Sequence, residues 1–167
     1  MVEINLTPLL KEQFSLDKTI QDNHHISYEQ TKDQRLLALL VELGEFANTT
    51  RCFKFWSNKG LDTKERILDE AADCLHFYLS LKISDDLKAL DSPQIVKLDE
   101  IKEKRDNQQL TLYFNEAISS ASFKKNYDES FINFLQIIYG LGYSWSDLVE
   151  AYYKKLEVNY NRQKNNY

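Results

Sequence analysis

Four carboxylates stand out by type and spacing. Glu42 and Glu45 are three residues apart in the run Val41-Glu42-Leu43-Gly44-Glu45-Phe46, and Glu70 and Asp73 are three apart in Glu70-Ala71-Ala72-Asp73. Three residues is just under one helical turn, so on a helix each pair shares a face. Like charges at that spacing repel, and burying an unpaired carboxylate costs several kcal/mol. A basic partner or a divalent cation would offset both penalties. Oxygen ligands without sulfur or imidazole suit a hard ion, Mg2+ or Mn2+. A second group is basic: Lys155, Asn159 and Arg162 are spaced i, i+4, i+7 and fall on one helical face, two cations and an amide fit for phosphate oxygens. The plainer reading of that group is a basic last turn complementing a helix dipole.

The elements that would carry these residues are helical. Residues 36–47, LLALLVELGEFA, place apolar side chains at every angle of a helical wheel, so this helix reads as buried and offers Glu42 and Glu45 no solvated stripe. In the next helix Ile67, Leu68, Ala71, Cys74, Leu75, Tyr78 and Leu81 form a broad apolar arc, with Glu70 inside it and Asp73 at its border. Asp69 and His76 fall on the polar side. Neither helix sets Lys or Arg among the apolar neighbours of the four carboxylates, although Arg66 lies one turn from Glu70. The alternative for either pair is an ordinary solvated acidic face. A di-iron bundle would need Glu-x-x-His motifs, and the sequence has none.

Capping signals set the remaining boundaries. Thr7 before Pro8 predicts an N-cap and a helix over 7–21; Ser27 with Gln30 has the capping-box form and opens a helix running to 50. A loop around 57–60 leads to a helix over 63–81, and 84–93 is the expected link between halves. Residues 93–120 have helical composition with weaker periodicity. A helix over 128–139 closes at Gly140 and Gly142, and Ser144, with Asp147 three residues on, caps a last helix to 163.

Composition agrees with an all-α fold: 167 residues hold only four glycines and two prolines, too few turn formers for a sandwich or barrel. Apolar residues at 43% and charged residues at 28% suit one globular domain over 1–167. A net charge of −5 argues against nucleic-acid binding, and no stretch is apolar enough to span a bilayer. The first residues lack the basic and apolar regions of a signal peptide, so Cys52 and Cys74 are expected as free thiols in a reducing cytoplasm. Three histidines and no CxxC leave little for a structural zinc.

The run VELGEFANTTRCFKFWSNKG, followed by DEAADCLHFYLSL, resembles the all-α dimeric dUTPases, which belong with the MazG-like nucleotide pyrophosphohydrolases. The resemblance rests on the ExxE and ExxD helices, the flank Arg51-x-Phe53-Lys54-Phe55-Trp56, the Leu75-His76-Phe77 segment and the C-terminal YKKLEVNYNRQ, and is thinnest between Ile83 and Asn126. It implies a homodimeric helical bundle that hydrolyses dUTP and dUDP to dUMP. Glu42, Glu45, Glu70 and Asp73 would hold two or more Mg2+ ions, with Glu45 orienting or deprotonating the attacking water. Lys155, Asn159 and Arg162 would hold the phosphates. Gln13 and Asp17, one turn apart in the first helix, match a polar feature of relatives that helps contact the nucleoside, and Trp56 matches an aromatic near the base. Taken alone, Gln13 and Asp17 read equally well as a solvated face, and Trp56 as core. The sequence departs from the family at Leu156, where relatives carry Asn, and at Asn166, where they carry Gly. Two other functions fit the same residues: a MazG-like pyrophosphohydrolase for dCTP or a damaged nucleotide, and a non-catalytic helical interaction protein.

Overall fold

A computed structural model of the protein describes residues 1–99, 101 and 103–165, so Asn166 lies outside the described residues. The chain runs β1 (Val2–Asn5), α1 (Thr7–His24), α2 (Tyr28–Thr50) and α3 (Lys64–Asp85). A 3-10 turn (Leu87–Leu90) then precedes β2 (Ile95–Leu98), α4 (Asn107–Ser122), α5 (Tyr127–Gly140) and α6 (Trp145–Lys164). The all-α expectation holds. Helix α3 is the hub, packing against α1, α2, α5 and α6, while α4 and α5 form a hairpin.

Two short strands break the helical pattern. β1 and β2 pair antiparallel, Val2 opposite Leu98 and Asn5 opposite Ile95. Four residues are too few to show a period of two, and β2 falls where a weakly periodic helix was expected. The same ribbon explains the start of α1. Thr7 is not its N-cap: the Thr7 hydroxyl accepts a hydrogen bond from the Gln94 amide at 2.9 Å, and Leu6 occupies the cap position without a side-chain bond. Tying down the ribbon wins over capping.

Elsewhere the caps are as the sequence indicates. Ser27–Gln30 and Ser144–Asp147 form complete capping boxes, and Thr63 accepts from the Arg66 amide at the start of α3. Each satisfies backbone donors that would otherwise be orphaned. Gly142 adopts φ +86°, the left-handed turn that ends the α4–α5 hairpin before α6.

The core forms where the apolar arcs meet. Phe46 of α2 packs edge-on against Phe114 of α4 and Phe134 of α5, with ring centroids 5.1 and 5.8 Å apart. Burial is distributed differently from the wheel reading. The helix buried on nearly every face is α3, where Ala71, Ala72, Cys74 and Ser80 are small enough for neighbours to approach closely. Helix α2 leaves a row open instead: Leu37 is 63% and Val41 50% exposed, and Glu45 follows on that side. Both cysteines are free and buried, and the apolar surroundings of Cys74 push its thiol well above the ordinary range, so it packs as a small core residue.

Candidate active site

The α2–α3 pairing brings the acidic motifs together. Carboxylate oxygens of Glu42, Glu45 and Glu70 lie within 4.8 Å of one another, with Glu70 buried, Glu42 half-buried and Glu45 exposed. Glu45 is therefore on a solvated edge, contrary to the wheel reading, because the α2 face beside it is uncovered. Asp73 lies outside that trio. Its carboxylate binds Lys155 Nζ at 2.7 Å, and Asp69, expected only on the polar side of its helix, shares the same ammonium at 2.9 Å. Arg66 reaches Glu70 at 2.9 Å, so one basic partner does sit by the cluster.

That cation does not balance the cluster. Burial, followed by the charges of Asp73, Glu45 and Glu70, pushes the Glu42 carboxyl up to about 7. Burial also raises Glu70 despite Arg66, and Asp73 despite its bond to Lys155. Burial would lower Lys155, but its hydrogen bonds to Asp73 and Asp69 outweigh that and hold it charged. Glu42 and Glu70, both raised and crowded against Glu45, favour a positive charge beside them, and an all-oxygen donor set fits a hard divalent cation.

Beside the cluster opens a cleft of about 440 Å3. Helix α1 contributes Gln13 and Asp17, α2 contributes Arg35 and Glu42, α3 contributes Asp73, His76 and Ser80, and α6 contributes Asn159 and Arg162. Residues from three separate sequence signals thus line one space. Gln13 and Asp17 are 3% and 2% exposed, which rules out the solvated-face reading. Gln13 Nε2 donates to Asp17 Oδ1 at 2.9 Å, and Gln13 Oε1 accepts from Tyr152 OH at 3.2 Å and faces His76 Nδ1 at 2.6 Å. Asp17 Oδ2 accepts from Ser80 Oγ at 2.6 Å and Tyr28 OH at 3.0 Å, with Arg35 Nη1 at 3.3 Å. At the α6 end, Arg162 Nη1 reaches Asn159 Oδ1 at 3.4 Å.

Four expected residues do not line the cleft: Glu45 and Glu70 stay in the carboxylate cluster, and Lys155 and Trp56 stand elsewhere. Lys155 is committed to Asp69 and Asp73 and does not line the cleft. Trp56 is not core: it is 66% exposed in the α2–α3 loop, packed edge-on against Phe55 at 4.9 Å, and does not line the cleft. Leu156, the departure from the family pattern, is a buried core residue.

His76 is the main residue the wheel misplaced. It is buried, stacked on Tyr152 with centroids 4.2 Å apart, and burial drives its pKa down to about 3, so the ring is neutral. The signal for it was present: Asp73, His76 and Ser80 continue one stripe of α3, and Thr31, Arg35 and Glu42 one stripe of α2. Those stripes face each other across the cleft. A larger groove of about 670 Å3 between the start of α3 and α6 is less suited to a ligand, because Lys64, Arg66 and Lys154 on its rim are already paired with Asp147, Glu70 and Glu150.

Among the described residues no helix is long and apolar enough to cross a membrane. In comparison with known proteins, the family model described as dUTPase matches residues 5–167. No curated protein matches the chain.

Proposed function

The chain belongs to the all-α dUTPase family, and from that premise we propose that it hydrolyses dUTP and dUDP to dUMP with Mg2+, as a cytoplasmic homodimer built from single-domain chains. The observation that carries this reading is that Glu42 and Asp73 line the same cleft as the buried Gln13–Asp17 pair and the α6 residues Asn159 and Arg162. One cleft joins an anionic end suited to a cation-bound phosphate chain to a dry polar end suited to a base. Mn2+ would satisfy the same donors.

When bound, Mg2+ supplies charge neutralisation along the phosphate chain and acidifies water. Glu42, Glu45, Glu70 and Asp73 would hold it. Glu45, the exposed member, has the access to solvent that a base needs: its carboxylate takes the proton of the attacking water and orients the oxygen in line with the phosphoanhydride. Breaking the bond between the α- and β-phosphates yields dUMP with pyrophosphate from dUTP, or with phosphate from dUDP. Lys155 exchanges Asp69 and Asp73 for phosphate oxygens, and with Asn159 and Arg162 balances charge on the departing group. Gln13 and His76 offer the base end its hydrogen bonds. Trp56, exposed in the α2–α3 loop, is the aromatic that the family resemblance sets near the base.

The test is a nucleotide panel. Purified protein incubated with dUTP, dUDP, dCTP and dTTP should release dUMP from the first two with Mg2+ and nothing with EDTA. Equal turnover of dCTP would move the chain to the broader pyrophosphohydrolases, and no turnover would leave the interaction-protein reading. Glu45→Gln should abolish release while the helical circular dichroism persists; retained activity would remove Glu45 as the base.

A further inference from the structure

His76 Nε2 is buried and has no hydrogen-bond partner among the described residues, in a side chain 5% exposed that lines the cleft. A buried, unsatisfied ring nitrogen calls for an explanation, and the chain of bonds behind it provides one. Asp17 has only acceptors. The Gln13 atom facing it at 2.9 Å must therefore be the amide nitrogen, which turns Gln13 Oε1 toward His76. An amide oxygen can only accept, so Nδ1 of the neutral ring carries the proton and Nε2 keeps a bare lone pair. Asp17 itself is held from the far side by Arg35, Ser80 and Tyr28, and Arg35 is further fixed by Thr31 at 2.9 Å and by stacking on Tyr28.

We propose that Asp17 is a positioning residue: it fixes the Gln13 amide and through it the Nδ1–H tautomer of His76, so that the deep wall of the cleft presents an acceptor nitrogen to a hydrogen-bond donor on the ligand. Asp17 does not meet the ligand, since both of its oxygens are occupied from within the chain. The donor is an N–H or O–H. In a deoxyuridine nucleotide it is the imide N–H of the base or the sugar 3′-hydroxyl. This second step rests on the nucleotide reading of the cleft; the tautomer does not.

The first measurement is the nitrogen-15 NMR spectrum of ligand-free, histidine-labelled protein at pH 7, where only three histidines contribute. His76 should show protonated Nδ1 and unprotonated Nε2. A proton on Nε2 overturns the proposal without any variant. In Asp17→Asn, the three donors at Oδ2 keep the amide oxygen, so the new NH2 faces Gln13 Nε2. Donor then meets donor, Gln13 turns over, and the His76 proton moves to Nε2. A merely structural role for Asp17 would leave the tautomer in place, and that result also overturns the relay. Binding of dUMP to Asp17→Asn should weaken about tenfold, the loss of one buried hydrogen bond. N3-methyl-dUMP and 2′,3′-dideoxyuridine monophosphate separate the two donors: the analogue that loses affinity for wild type, and loses no more for the variant, lacks the donor. The expected tautomers with no dUMP binding would support the relay and overturn the nucleotide reading of the cleft.

Discussion

At the scale of single residues, the titration of Glu42 gives the sharpest expectation. Its carboxyl is raised to about 7 by burial and by Asp73, Glu45 and Glu70, so the metal-free folded chain holds a proton there that the unfolded chain has released. Folded-state binding of that proton makes this contribution to stability full below about pH 4.5 and lost as pH rises through 7. His76 acts in the opposite sense: lowered to about 3, it adds stability above about 6.5 that disappears as pH falls toward 3. Total stability therefore mixes the two. The difference between wild type and Glu42→Gln isolates Glu42, because glutamine does not titrate. Denaturant melts without metal should show Glu42→Gln gaining on wild type between pH 5 and 8. A difference that stays flat would mean Glu42 ionises normally and the cluster is not short of positive charge.

At the scale of elements, helix caps carry predictable energy, and α6 allows a clean test. The Ser144 box satisfies backbone donors at its start, while Asn159 and Arg162 lie several turns on. Ser144→Ala should cost about 1 kcal/mol. For a chain of this size that is a drop in Tm of roughly 2–4 °C, with dUTP turnover unchanged. A large loss of turnover would mean the cap sets the position of the phosphate-facing residues. These caps are also why most helix boundaries could be read from the sequence: a Ser with Gln or Asp three residues on acts locally and needs no partner from elsewhere. The β1–β2 ribbon could not be read this way. Its hydrogen bonds join residues about ninety positions apart, and it takes Thr7 from the cap the local pattern assigns to it. The acidic site was legible because i,i+3 carboxylates inside apolar arcs are conspicuous on any wheel. His76 was missed because a wheel drawn for one helix does not see α1 and α6 closing over its polar side, and the pairing of Asp73 with Lys155 depends on α3 meeting α6.

At the scale of the whole molecule, one chain leaves large apolar side chains uncovered. Leu37 and Val41 of α2 are open, as are Phe53, Phe55 and Trp56 in the loop that follows. Large apolar side chains exposed in such numbers suit a surface that a second chain covers. A homodimer through this face should sediment at twice the 19.7 kDa chain mass, and Leu37→Glu with Val41→Glu should return it to one chain by setting carboxylates in an apolar contact. Unchanged sedimentation of the double variant would move the interface elsewhere. The proposed hydrolysis depends on the convergence of Glu42, Glu45 and Glu70 being a cation site. Calorimetric titration of Mg2+ into wild type and into Glu42→Gln/Glu70→Gln at pH 8 tests that most directly. Wild type should bind, and the double variant should bind at least about tenfold more weakly or not at all; equal binding by both proteins, or none by wild type in the presence of dUMP, would contradict it.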